Sequence, residues 1–359
     1  MRRLFRILAS TRLTLVGMVL LAGGAGLSYD NPMSTPVWVL VVPMGFLAVN
    51  LFAAIVVHPR INRNAGLLMF HVGLLGICVL AAVGRLTYFE GRVELTQDRW
   101  FALADVEDLK QGPLHSGDIE DVRFVQGTYT VDYRPGLNRG KTRSQVRVVD
   151  ADGRSHWREV GDDKPLVVNG YRFYTTFNKG FAAVLTWLPD RGQPITGVVH
   201  MPSYPLFEHR QSNEWTPPGS REIKFWLRLT TGFDEEDAWV LNPTAATGIL
   251  VVNDTGSRVE LAEGEEVVLP GGRLRFEALS TWMGYKIFYD PTLLPLFAAS
   301  VLAVLGLMQH YWRKFGHQPL AATNQSTEPD GPDTAPKSSE GQGAGRQGRR
   351  RLKTGVSPT

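Results

Sequence analysis

Gly66-Leu-Leu-Met-Phe-His-Val-Gly-Leu-Leu-Gly-Ile-Cys-Val-Leu-Ala-Ala-Val-Gly84 decides how this chain is built. A helix needs roughly 17–25 apolar residues to cross a bilayer, and this run is long enough. It holds no Asp, Glu, Lys or Arg, and its one imidazole is that of His71. A titratable group in hydrocarbon costs a few kcal/mol, roughly, unless it finds a partner, so His71 marks a functional site by default.

Working outward, three more runs read as spans: about Leu13–Leu27, Val37–Val57 and Leu293–Tyr311, with the quoted run covering Gly66–Val83. The chain has 359 residues, 43% hydrophobic and 20% charged. Its mean hydropathy of -0.10 averages these runs with a polar, aromatic middle. The first span is the shortest, and its Arg-rich start and Gly23-Gly24-Ala25-Gly26 end also suit a signal peptide. Two further spans follow at once, which favours an uncleaved anchor.

The formal net charge of +3 is small, and no nucleic-acid partner is expected. The placement of charge is more telling. Arg2, Arg3, Arg6 and Arg12 precede the first span, Arg60 and Arg63 follow the second, and Arg313 and Lys314 follow the fourth, whereas Tyr29–Thr35 has no Lys or Arg. The bias of basic residues toward the cytoplasm places both termini and His58–Ala65 inside and residues 85–290 outside. Tyr29, Trp38, Tyr88, Phe89, Tyr289, Tyr311 and Trp312 fall at the expected interfaces, as an aromatic belt. Glycines 17, 23, 24 and 26 in the first span and 66, 73, 76 and 84 in the third permit close helix contact.

The middle reads as short strands: Val122–Tyr133, Ser144–Val149, Tyr171–Phe177, Ala182–Leu188, Ile223–Thr231, Trp239–Leu241, Gly248–Val252, Arg258–Leu261, Glu266–Leu269, Arg273–Ala278 and Tyr285–Tyr289. Turn residues such as Asn169-Gly170, Asp152-Gly153 and Pro270-Gly-Gly272 punctuate them, which argues an antiparallel sandwich or barrel. The sole cysteine, Cys78, lies in the third span, so a core rather than disulfides must hold this region. The tail Gln318–Thr359 is rich in Pro, Gly, Ser, Thr and Gln and reads as disordered; its Arg349-Arg350-Arg351 end could touch anionic lipid. The fold class expected is thus a membrane protein with four transmembrane helices and an all-β extracytoplasmic sandwich- or barrel-like domain. Its divisions are 1–86 (three helices), 87–290 (β-rich), 291–315 (final helix) and 316–359 (cytoplasmic tail).

No Walker loop, dinucleotide fingerprint or Cys-x-x-Cys occurs. His115, His156, His200 and His209 lack partners at metal spacing and read as surface residues, and Asp234-Glu235-Glu236-Asp237 reads as a solvated charge run. The inner-face histidines differ. His71 lies roughly 8 Å into its helix from the cytoplasmic end, while His58 closes the second span and His310 lies near the end of the fourth. Neutral imidazole is a haem-iron ligand, and an apolar helical wall suits a porphyrin. A hydrogen bond to a neighbouring helix would equally account for His71, and an interfacial position for His58 and His310.

Four segments bring a family into view: Phe70-His-Val-Gly73, Tyr88-Phe-Glu-Gly-Arg-Val-Glu-Leu-Thr96, Asn169-Gly-Tyr-Arg-Phe-Tyr174 and Tyr289-Asp-Pro-Thr292. In these, and in the order of three spans, external domain and final span, the chain resembles the ResB/CcsB family of cytochrome c biogenesis, system II. The resemblance implies a membrane subunit of the cytochrome c synthase that handles haem b transiently and delivers it, with a CcsA-type partner, to apocytochrome c in the periplasm. The setting implied is the bacterial cytoplasmic (inner) membrane. Only His71 matches the family's membrane histidine, so it is the implied axial ligand to the haem iron. CcsA is the expected source of the second ligand, with His310 or His58 as weaker candidates in cis. A separate thioreductase would keep the substrate cysteines reduced. No catalytic residue is assigned, and the role would be auxiliary to the haem lyase. The alternative is a membrane-anchored structural adaptor whose β-domain binds another envelope protein without a cofactor.

Overall fold

The computed structural model describes residues 2–31, 34–150, 152–254 and 257–315. The tail expected to be disordered lies outside them. A short helix α1 (Arg2–Leu8) leads into α2 (Thr11–Asp30), α3 (Trp38–Val57), a single turn α4 (Pro59–Asn62) and α5 (Ala65–Thr87). The strands are β1 (Phe89–Thr96), β2 (Glu107–Gln111), β3 (Phe124–Arg134), β4 (Asn138–Val149), β5 (Ser155–Gly161), β6 (Leu166–Val168), β7 (Tyr171–Pro189), β8 (Ile195–His200), β9 (Ser212–Trp215), β10 (Ile223–Thr230), β11 (Trp239–Leu241), β12 (Thr247–Asp254), β13 (Ser257–Leu261), β14 (Glu266–Leu269) and β15 (Gly272–Tyr289). Helix α6 (Leu293–Phe315) follows.

Helices α2, α3, α5 and α6 are each long and apolar enough to cross a membrane, as expected. They run past the apolar segments at their polar ends, through Ser28-Tyr-Asp30 in α2 and Arg85-Leu-Thr87 in α5. Small residues set the packing. A Cβ on Gly17 would lie 2.7 Å from Leu47, and one on Gly24 would lie 2.7 Å from the Val39 carbonyl, so α2 sits directly on α3. The break between α1 and α2 is stitched by one buried amide. Asn50 of α3 donates to the carbonyls of Leu8 and Ser10 and accepts from the Thr14 hydroxyl (2.7 Å). A polar group in such a setting is tolerated because its bonds are made inside the bundle.

The β region forms a seven-stranded sheet with path β2-β1-β15-β7-β6, where β14 also pairs with β15 and β8 with β7. Two four-stranded sheets, β13-β12-β10-β9 and β11-β3-β4-β5, complete it. Inward residues of the three sheets share one core. Phe124, Phe173, Phe181 and Phe276 are fully buried, each worth about 1.5–3 kcal/mol relative to exposure. A buried polar triangle ties β15 to β3 and β4: Tyr285 Oη donates to Gln126 Oε1 (2.6 Å), Ser144 Oγ lies 2.6 Å from Tyr285 Oη, and Gln126 Nε2 donates to Ser144 Oγ (2.9 Å).

Trp239–Leu241 and Glu266–Leu269 are strands over the residues expected. The two pieces expected within 171–188 are one strand, β7, and those within 273–289 are one strand, β15. Most of the residues between the expected pieces pair in register, Leu279–Met283 against Ala183–Lys179, and bulges flank them at Phe276/Ala278 and Met283/Tyr285. The Asn169-Gly170 turn is real. Both residues have positive φ (50° and 83°), the geometry of a two-residue hairpin loop.

Candidate functional site

Helix α5 begins at Asn64, whose side-chain oxygen accepts from the Leu67 N–H (3.1 Å). That cap satisfies one of the helix's unpaired N-terminal donors. Its glycines then press on α6. A Cβ on Gly66 would lie 2.6 Å from the His310 nitrogen, and one on Gly73 would lie 2.6 Å from the Ala303 nitrogen. Ala299, Ala303 and Gly306 give α6 the matching small-residue stripe.

His71 is on the other side of α5. At 3.6 residues per turn it lies about 160° round the helix from Gly73 and about 140° from Gly66. Its Nδ1 sits 2.7 Å from the Leu67 carbonyl oxygen, one turn back on the same helix. A carbonyl can only accept, so Nδ1 carries the proton and Nε2 keeps its lone pair. Nε2 has no hydrogen-bond partner among the described residues. The Phe70 ring stands edge-on to the imidazole, 5.2 Å between centroids. The bond is therefore intrahelical, and Nε2 is left available.

The structure does not bring the other two inner histidines to this imidazole. His310 presses its backbone against Gly66, on the opposite side of α5, and its Nδ1 is enclosed without a hydrogen-bond partner. His58 is exposed and ends α3, its carbonyl accepting from the Ile61 and Asn62 amides of α4.

A second constellation sits where α5 and α6 meet the sheets. The strand β1 leaves α5 directly and pairs along its length with β15, which leads through Asp290 into α6; Phe89 is opposite Tyr289. The segment 112–115 crosses this junction. The Gly112 N–H donates to the Tyr88 carbonyl and the Leu114 N–H to the Leu86 carbonyl (2.8 Å each). His115 then spans the gap: Nδ1 donates to the Thr87 carbonyl (3.0 Å), and Nε2 accepts from the Tyr171 hydroxyl (2.7 Å). Phe89, Tyr171 and Tyr289 surround the ring at centroid distances of 5.1–5.7 Å. Burial, with Tyr289 and Asp118 nearby, pushes the Tyr171 phenol up to about 12. Asp290 Oδ1 accepts from both the Thr292 amide and hydroxyl (2.8 and 2.7 Å), capping the entry to α6. Three of the four segments quoted from the sequence thus converge here.

The sequence model of the ResB-like family matches residues 61–220. This stretch of the chain is similar to that family. No curated protein matches the chain. The ResB-like stretch includes α5 with His71 and the junction with His115, while His58 and His310 lie outside it. The match supports a role in cytochrome c biogenesis.

Within that ResB-like stretch two histidines depart from the surface role expected of them. His115 is enclosed by aromatic rings, as described. His200 is half-buried, stacked on Trp282 (5.2 Å, 11°), with Nε2 2.8 Å from Thr96 Oγ1 and Nδ1 3.5 Å from Glu94. His156 and His209 are surface residues, paired with Asp150 and Glu208. Phe89, expected in an interfacial belt, is 1% exposed and belongs to the core, because β1 turns it inward against Tyr171. No group of three His, Cys, Asp or Glu with metal-ligand geometry occurs among the described residues.

Proposed function

We propose that this protein is a haem-handling membrane subunit of system II cytochrome c assembly. One observation carries the reading: in an apolar helical wall, His71 donates its Nδ1–H to Leu67 and leaves Nε2 free. Metal-bound imidazoles commonly donate their second N–H to a carbonyl or carboxylate, which fixes tautomer and ring orientation. The donor set thus fits a haem iron, with His71 supplying one axial nitrogen. A CcsA-type partner supplies the second imidazole, rather than His310 or His58.

Basic residues flanking the spans put His71 at the cytoplasmic-leaflet level and the β-domain in the periplasm of the cytoplasmic membrane. Haem b is held transiently as cargo, and apocytochrome c is the final acceptor. The thioether bonds of a c-type cytochrome require reduced substrate cysteines. The chain's one cysteine, Cys78, is within α5, so a separate thioreductase serves that step.

The test is co-purification with the partner, followed by absorption spectra of oxidised and reduced states. The wild-type complex is expected to carry haem and the His71→Ala complex to lose most of it. Unchanged haem content in the variant defeats the ligand role, and a colourless wild-type complex favours a structural adaptor.

A further inference from the structure

The seven-stranded sheet leaves one ladder unfinished. Strand β1 pairs with β15 over all of Phe89–Thr96, but with β2 only at Phe89, Glu90 and Arg92. Past Arg92 no strand among the described residues pairs with the second edge of β1. The Gln97 N–H donates to the Thr281 carbonyl (2.8 Å), which fixes the alternation. In an antiparallel pair every second residue turns its backbone groups to the partner and the others turn away. Glu94 and Thr96 turn away from β15. The Thr96 carbonyl is taken by the Arg99 N–H (3.2 Å). The N–H groups of Glu94 and Thr96 and the Glu94 carbonyl have no hydrogen-bond partner among the described residues, with Thr96 8% exposed at the inner end of the edge.

This open edge is the floor of a cleft of about 720 Å³, whose walls include Trp100, Asp105, Glu107 and His200. Trp100 is 50% exposed beside it. Asp105 and Glu107 are exposed and make no ion pair among the described residues, and Arg99 is the only guanidinium on the wall. The cleft therefore combines backbone donors and an acceptor in strand geometry with excess negative charge and an aromatic face.

We propose that this cleft docks an extended, lysine- or arginine-bearing stretch of unfolded polypeptide, added as a short strand to the Glu94–Thr96 edge. Strand addition draws affinity from main-chain bonds, so it tolerates varied sequences, while pockets for alternate side chains select among them. With a side-chain period of two, every second residue of the guest faces the same wall. Basic side chains there meet Asp105 and Glu107 and can lie over Trp100. In taking the guest to be the unfolded cytochrome polypeptide, this inference rests on the function proposed above.

The test uses the full chain in detergent micelles, with a short peptide of alternating lysine and valine as probe and its glutamate counterpart as control. The lysine peptide is expected to bind and to slow hydrogen exchange at the Glu94 and Thr96 amides. Paired Asp105→Lys and Glu107→Lys substitutions are expected to weaken binding about tenfold. Glu94→Pro is expected to abolish it while sparing the β1–β15 ladder, since that N–H does not face β15. Protection of the Leu95 amide checks that β1 is intact in the variant. Equal binding of the glutamate peptide, binding without slowed exchange at the two amides, or indifference to the paired charge reversal overturns the proposal. His71→Ala leaves this binding untouched, so loss of the groove and loss of the haem site read out separately.

Discussion

A methyl group on Gly66 would lie 2.6 Å from the backbone nitrogen of His310. Two helices that approach this closely leave no room for a side chain. Gly66→Val and Gly73→Val are expected to force α5 and α6 apart, at about 1–3 kcal/mol each. Thermal unfolding in detergent will show this as a lowered midpoint. A methyl group on Gly23 or Gly45 would meet nothing within 4 Å, so Gly23→Ala and Gly45→Ala are expected to be neutral or slightly stabilising.

The hydrogen bond of His71 to Leu67 is separable from the ligand role proposed for that residue. The bond is worth about 1 kcal/mol, and its loss alone would cost little in folding. Loss of an axial ligand would remove pigment. His71→Gly is expected to fold, to purify pale with its partner, and to regain its haem spectrum when free imidazole is added. A merely structural histidine would show no such rescue.

His115 joins the last carbonyl of α5 to the phenol of Tyr171. His115→Ala leaves both groups without their partner and is expected to cost about 1–3 kcal/mol. Hydrogen exchange at the end of α5 and the start of β1 is expected to rise, while the distant sheet β13-β12-β10-β9 stays protected. His115→Phe, which keeps the ring packing but not the bonds, is expected to recover only part of the loss.

Lys179 is 2% exposed, with Nζ 3.2 Å from the Phe177 carbonyl and over the Tyr133 ring. Burial, reinforced by Arg139 and opposed by Asp162, lowers its amine from 10.5 to about 8. The folded state then binds fewer protons than the unfolded chain between about pH 8 and 10.5, so stability rises across that window, by about 3 kcal/mol in total. Tyr133, held at about 12 mainly by burial, acts oppositely above pH 10, where the unfolded phenol ionises first. A stability maximum near pH 10 is expected in denaturant titrations. Lys179→Met is expected to abolish the rise and to stabilise the protein at pH 7.

The membrane helices were legible in the sequence because lipid imposes a single compositional demand on each. Their ends were not, since Ser28-Tyr-Asp30 and Arg85-Leu-Thr87 extend the helices by backbone bonding where hydropathy has stopped. The strand within Val122–Tyr133 stands out by alternation, whereas β2, Glu-Asp-Leu-Lys-Gln, has no apolar face to betray it. Thr176-Phe-Asn178 breaks the apolar pattern yet is absorbed as a bulge inside β7, opposite Gly284. His71 was conspicuous as an imidazole in an apolar run, but which nitrogen stays free is a matter of rotamer. His115 gave no signal, because its aromatic enclosure is assembled from β1, β7 and β15.

Phe89 and Tyr289 face each other across the first rung of a ladder whose two rails run on, one out of α5 and the other into α6. The pair of apolar helices and the seven-stranded sheet are therefore joined through two adjacent, hydrogen-bonded strands rather than through one loop. A tilt of one of those helices is then transmitted directly to the two central strands of the sheet, β1 and β15.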